Sequence, residues 1–264
     1  MKKIPRGKKV YEGPEGLCFA RNRLYWYNKD FNLIDPPEEI KGNFECSNTN
    51  ITSLKGSPRT VNGYFNCSDT KITSLEGSPE IIGDGFYCGN TKITSLEGSL
   101  KEVRGNFYCS YTNITSLEGC PEKIGGGFCC SKTKITSLKG FPREVGGYFD
   151  CSYTNITSLE GCPEKVGGSF SCSQTDITSL EGCPEKVGKN FWCSNTKITS
   201  LEGSLKIVNG DFNCSNTSIT SLKGSPEKVG GYFDCSDTSI TSLEGAPAEI
   251  GDIKYSRFSN SISS

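Results

Sequence analysis

Apolar and polar positions recur along this chain with one period. Between residues 42 and 245 the apolar columns fall in the order VxxxFxCxxTxIxxL, and the cysteines of that column, from Cys46 and Cys67 to Cys214 and Cys235, stand 21 residues apart. The clearest copy runs Phe149-Asp150-Cys151-Ser152-Tyr153-Thr154-Asn155-Ile156-Thr157-Ser158-Leu159-Glu160-Gly161-Cys162-Pro163-Glu164-Lys165-Val166. A fixed period of this size predicts stacked supersecondary units, each unable to bury its apolar side without neighbours. The Phe-x-Cys step has strand period, so Phe and Cys point one way and the residue between them the other. Ten copies agree at Val or Ile, Phe, Cys, Thr, Ile, Thr-Ser and Leu. Columns stacked from coil to coil share one environment, and a common core is the simplest. Gly and Pro then turn the chain, Gly by its backbone freedom and Pro where no sheet hydrogen bond is needed. Leu100 and Leu205 replace that Pro in two coils, so it is helpful and not obligatory.

Spaced in this way, the coil resembles the leucine-rich repeat superfamily, whose pattern is LxxLxLxxNxLxxL. Phe and Cys take the strand positions, Thr stands at the asparagine position, and one extra residue separates the first two apolar columns. The resemblance implies a β-rich repeat solenoid: a right-handed coil with one long parallel sheet and a helix-poor convex side. Thr satisfies the turn's backbone groups less fully than Asn, which leaves a straight β-solenoid as the alternative. Ten full coils give a sheet roughly 45 to 50 Å long. Residues 1–41 are expected to form an N-terminal cap with a degenerate first repeat. There Leu24 and Trp26 stand at the Phe and Cys columns, Phe31 and Ile34 at the Ile and Leu columns, and Ile40 at the Val column. Residues 42–245 are the ten repeats. Residues 246–264 are a degenerate repeat and tail, in which Ile250, Ile253 and Tyr255 imitate a further strand with one residue missing.

Composition narrows the function. The formal charge is −1, which supplies no long-range field to gather nucleic acid or anionic membrane. The chain contains no histidine, which removes the usual general base and the commonest zinc ligand. No catalytic residue, metal site or cofactor is therefore expected. Ten of the 15 cysteines occupy the core column and read as small apolar residues, not as staples. Cys162 and Cys183 share another column in adjacent coils, close enough to bridge, a pairing that a reducing compartment disfavours. No signal peptide or transmembrane run is evident, so a soluble, cytoplasmic protein is expected. Pairs such as Glu122-Lys123, Glu164-Lys165 and Glu227-Lys228 read as a solvated edge where neighbouring Glu and Lys columns soften like-charge stacking.

The columns that vary are those predicted to face outward on the sheet, the surface solenoids commonly use for binding. Aromatic residues gather there in the middle coils, whereas the end coils carry Asn, Asp and Glu. Tyr87 is expected beside Tyr108, with Tyr148 and Tyr153 about 10 Å beyond Tyr108 and Trp192 about two strands further. Exposed Tyr and Trp supply much contact area at low entropy cost. Tyr87, Tyr108, Tyr111, Tyr148, Asp150, Tyr153 and Trp192 are the candidate partner-binding residues. Cys129 is expected to face outward as an exposed thiol, with Lys132 the only nearby cation in its coil. Together these features point to non-catalytic recognition of a protein partner, without nucleic acid or membrane. The resemblance to short repeats of bacteria, their phages and large DNA viruses implies a partner of host or viral origin, with inhibition of a host factor as one role. A structural or adhesin component of a particle or fibre is the alternative. An ice-binding solenoid is a third reading, weakened because the Thr of Cys-Ser-x-Thr turns inward and the Ile-Thr-Ser pair sits at a bend.

Overall fold

A computed structural model describes residues 17–20, 23–26, 38–98 and 100–254. The described residues form strands and turns without a helix, wound into a parallel β-solenoid of ten coils numbered here by Phe44, Phe65, Phe86, Phe107, Phe128, Phe149, Phe170, Phe191, Phe212 and Phe233. Each Phe begins a strand of two residues in most coils, such as Phe149–Asp150, and pairs in parallel with the Phe of the next coil. Backbone N–H groups bridge the coils in register: Phe149 N donates to Ser169 O and Cys151 N to Ser171 O, each at 2.9 Å.

Register dictates the core. All ten Phe rings have no solvent exposure, and the cysteines two residues on have at most 1%. Successive ring centroids lie 5.0 to 5.9 Å apart, close to the strand spacing itself. The cysteine suits a slot bounded by backbone. It fills a small apolar space, and its thiol donates to a carbonyl of the next coil: Cys46 Sγ lies 3.2 Å from Asn66 O and Cys151 Sγ 3.3 Å from Ser171 O. Every cysteine whose side chain is described is a free thiol, Cys162 and Cys183 included.

Polar columns close each coil. In all ten coils the Thr three residues after Cys turns inward, its Oγ1 donating to the Cys carbonyl at 2.6 to 2.8 Å. This Thr satisfies a backbone carbonyl at the turn after the strand. The Ser of Ile-Thr-Ser accepts a backbone N–H two residues on at 3.0 to 3.2 Å, again in every coil. The next Gly completes a type II turn: Gly161 has φ +87° and Cys162 N donates to Leu159 O at 2.9 Å, a position that penalises any Cβ. Leu100 and Leu205 are buried like the prolines they replace, so that column serves the core as well as the turn.

A second parallel ladder, not foreseen from the sequence, runs along the Val column, from Glu39–Ile40 to Lys123–Ile124 and again from Glu144–Val145 onward. No strand pairing joins Lys123–Ile124 to Glu144–Val145. The interruption sits beside Phe141, which takes the place of the usual Ser or Cys before Pro and packs edge-on against Phe128 and Phe149 at 4.7 and 4.6 Å. The two coils still meet there through Gly146 N, which donates to Ile124 O at 3.3 Å, and Gly147 N, which donates to Gly126 O at 2.8 Å. Charged columns outside this ladder pair across coils, as in Arg59–Glu80 at 3.1 Å, Lys206–Glu227 at 3.2 Å and Lys165–Glu144. Exposed pairs of this kind add little to stability and chiefly soften like-charge stacking.

The ends differ. Leu17–Ala20 and Arg23–Trp26 form an antiparallel hairpin, and Leu17–Ala20 pairs antiparallel with Phe44–Glu45. The expectation that Leu24 and Trp26 occupy the Phe and Cys columns of a parallel first coil is therefore corrected. A hairpin laid against the first strand occupies a sheet edge that would otherwise recruit other chains. Ile40 does stand at the Val column, pairing with Val61. At the other end Ile250 pairs with Val229 and Ile253 with Phe233, the missing residue appearing as a register shift between Val229 and Tyr232. Phe31, Ile34 and Tyr255 lie outside the described residues.

Two outcomes are expected. Phe149→Ala should lower stability to urea by about 3 to 5 kcal/mol, and Phe149→Leu by less; a loss below about 1 kcal/mol for the alanine variant would contradict a packed ring column. Burial holds the thiols of Cys109, Cys130, Cys151, Cys172 and Cys214 well above their ordinary range. An unfolded thiol ionises near pH ~8.5, so stability is full below that value and falls as pH rises, by up to about 1.4 kcal/mol per pH unit for each such cysteine. The urea midpoint should drop steeply between pH 8 and 10, and a flat profile would count against a buried thiol column.

Candidate interaction face

Three columns make up the outer side of the Phe ladder. Those flanking Phe are mostly half-buried by their neighbours above and below. The third, two residues after Cys, has left-handed φ of 53 to 59° in all ten coils. Such a conformation costs an L-residue roughly 1 to 2 kcal/mol, less for Asn and Asp, whose short side chains bond locally. Six coils accordingly use Asn or Asp there, namely Asn48, Asp69, Asn90, Asn195, Asn216 and Asp237. Coils 4 to 7 instead carry Tyr111, Lys132, Tyr153 and Gln174. Local backbone preference is overridden in four consecutive coils, and two of those residues, Tyr111 at 59% and Tyr153 at 53%, are among the most exposed large hydrophobic side chains.

Two aromatic rows result. In the first, Tyr87 stacks on Tyr108 with ring centroids 5.2 Å apart, as the strand spacing predicts. Tyr64, absent from the sequence-derived set, meets Tyr87 edge-on at 6.0 Å. Tyr148 departs from expectation. Its ring lies 6.1 Å from that of Tyr108 instead of about 10 Å. The cause is Gly127 in the intervening coil: a Cβ there would stand 2.3 Å from Tyr148 Cε1, so the tyrosine leans across space that any other residue would fill. Burial raises the ionisation of the Tyr148 hydroxyl well above its usual range. The second row lies along the left-handed column, where Lys132 Nζ sits between Tyr111 and Tyr153, 4.7 and 5.2 Å from their ring centroids, and donates to Tyr111 Oη at 2.6 Å. Lys132 is the one cation in its column, and its place between two rings follows only from the in-register stacking of that column.

Cys129 does not present an exposed thiol. It is 8% exposed, with Ser110 Oγ at 3.0 Å, Ser131 Oγ at 3.3 Å and Asp150 Oδ2 at 3.4 Å from its sulfur. Alternation does turn it outward, but a side chain this small lies below the level of its larger neighbours. Burial first, and the Asp150 carboxylate next, raise its ionisation, the opposite of what a nucleophile needs. Asp150 also accepts Ser152 N at 2.9 Å and so is engaged within the face. Trp192 stands apart from both aromatic rows, beside a depression of about 340 Å³ lined by Tyr148, Asp150, Ser169 and Ser171. The three columns hold six carboxylates, of Glu45, Asp69, Asp150, Asp211, Asp234 and Asp237, against the single cation of Lys132, in a chain of formal charge −1.

A larger depression, about 780 Å³, lies elsewhere, on the Val ladder around Ile124, Val145 and Val166. Much of its charged lining is already paired, Arg104 with Glu102 at 3.3 Å, Lys165 with Glu144, and Arg143 with the adjacent Glu164 at 3.4 Å, and it offers no aromatic surface. Among the described residues no cluster of carboxylates or thiols is arranged to hold a metal ion.

Compared with known proteins, the chain matches no family model and no curated protein. Among solved structures it is similar to YopM from Yersinia enterocolitica WA-314, at 14% identity and a TM-score of 0.40, with 83% of this chain covered. The chain spans about 65% of that protein's length. At this score the likeness bears on neither partner nor activity, and the repeat architecture described above rests on the coils themselves.

Gly127→Ser introduces a residue that Ser169 already supplies in the same column. The variant should keep the fold and lose close ring-to-ring proton contacts between Tyr108 and Tyr148 in nuclear Overhauser spectra. Their persistence would show that Gly127 does not set the tyrosine's position.

Proposed function

We propose that this protein is a non-catalytic recognition module that binds a protein partner through the outer side of its Phe ladder. The observation that carries this reading is the replacement of Asn and Asp by Tyr, Lys, Tyr and Gln in four consecutive left-handed positions, beside a row of contacting tyrosines. Chain folding alone favours Asn there, so the large exposed side chains are accounted for by contact with something else. Tyr87, Tyr108, Tyr111, Tyr148, Tyr153 and Trp192 form the contact, with Tyr64 added; Asp150 contributes charge and holds the face together. Tyrosine and tryptophan are the residues that carry most binding energy at protein interfaces. The free thiols favour a reducing, cytoplasmic setting. The resemblance of the short coils to bacterial and phage repeats favours a host or viral factor as the partner, inhibited by being covered.

The threonines support this reading over ice binding. One column is turned into backbone bonds, and the exposed Thr of Ile-Thr-Ser has Asn, Lys, Asp or Ser as its outward neighbour, never a second Thr. Affinity capture with the intact chain should yield one stoichiometric partner. That partner should be lost with Tyr108→Ala and with Trp192→Ala, and retained with Lys186→Ala on the Val ladder. Capture that is indifferent to the face variants, or recovery of the chain as part of a particle regardless of them, would overturn the proposal.

A further inference from the structure

Resting on that reading of the face, we infer that the depression over coils 2 to 4 is a pocket for an arginine side chain of the partner protein. The column following Cys is Ser in nine coils and Gly89 in coil 3. Above Gly89 lies a depression of about 380 Å³ walled by Tyr87, Tyr108 and Tyr111 and edged by Ser68, Asp69, Asn90 and Ser110. A serine side chain on its floor, as in every other coil, would fill part of this space.

The chemistry of the walls selects a cation. Tyr111 separates the depression from Lys132, whose ammonium sits at the hydroxyl end of the Tyr111 ring, 4.7 Å from its centroid and 2.6 Å from its Oη. A guest cation on the other side would lie against the ring itself, extending the alternation of tyrosine and cation by one step. At the far wall, Asp69 Oδ1 accepts a hydrogen bond from Asn90 Nδ2, while among the described residues its Oδ2 accepts no hydrogen bond and no ion pair is formed. A planar guanidinium stacks on an aromatic face and presents an N–H edge to a carboxylate at once, which an ammonium cannot do. The excess of five carboxylates on the three outer columns (six against Lys132) steers a basic surface toward the pocket.

The probe is the peptide acetyl-Gly-Arg-Gly-amide, titrated into the intact chain and followed by tyrosine fluorescence and proton chemical shifts. Saturable binding is expected, weaker for the lysine peptide. Gly89→Ser, which restores the residue of the other nine coils, and Asp69→Asn, which restores the residue of Asn48 and Asn90, should each weaken it by about fivefold or more. Neither should move Tm, and Asp237→Asn at the far end should change nothing. Absence of a saturable response in the native chain, or Gly89→Ser and Asp69→Asn titrating like it, overturns the pocket. If the titration fails while Tyr108→Ala still releases the captured partner, only the pocket falls. If the titration succeeds while the face variants keep the partner, the assignment to a partner's arginine falls together with the recognition reading.

Discussion

The in-register backbone ladder is the constraint from which the rest of the molecule follows. With a period of 21 residues and N–H groups donating to carbonyls 20 to 22 residues away, every side chain in a coil lies beside its own counterpart. Only residue types that tolerate their own company can occupy a fixed column. Phenyl rings do, at separations near 5 Å, and so do thiols, most of which donate to a carbonyl of the next coil and need no neighbour of opposite charge. Charges tolerate it less well, and several exposed columns place Glu beside Lys or Arg of the adjacent coil, as in Arg59–Glu80, Lys165–Glu144 and Lys206–Glu227, although Lys165 and Lys186 also stand side by side at the solvated edge. The large desolvation of the thiols and the modest worth of the surface ion pairs place most of the stability in the apolar column.

How much of this was legible in the sequence depends on whether a feature repeats. Phe inward, Cys inward, Thr turned to the backbone and the bend at Ile-Thr-Ser all repeat ten times, and each could be read from spacing alone. The left-handed position repeats as well, and the recurrence of Asn and Asp two residues after Cys was its signal. Features that depend on one coil's departure from its neighbours were not legible. Tyr148 reaches Tyr108 because Gly127 has no side chain, and Phe141 packs edge-on against two rings of the Phe column where other coils carry a small residue. Cys129 faces outward as alternation requires and is still covered, since burial depends on the height of the surrounding residues. The terminal hairpin escaped notice for a different reason: Leu24 and Trp26 carry the spacing of a coil, and spacing cannot distinguish antiparallel from parallel pairing.

The same logic separates scaffold from site. A column free of the core can vary without cost to the ladder, and the outer columns vary most in coils 3 to 8. Glycines there act as removed side chains: Gly85 beneath Tyr87, Gly127 beneath Tyr148 and Gly89 beneath an open depression. Surface relief in this solenoid is thus made by subtraction as much as by addition. A regular stack with a few omitted side chains can acquire a shaped, acidic, aromatic face while keeping one uniform interior.

The most direct measurement is the accessibility of the ten column thiols in the native protein, by brief alkylation at neutral pH followed by peptide mass spectrometry. Cys46, Cys67, Cys88, Cys109, Cys130, Cys151, Cys172, Cys193, Cys214 and Cys235 should remain unmodified until the chain is unfolded, and then react fully as free thiols. Rapid native labelling along the column, or disulfides linking its members, would contradict a dry interior and remove the basis for an outward recognition face.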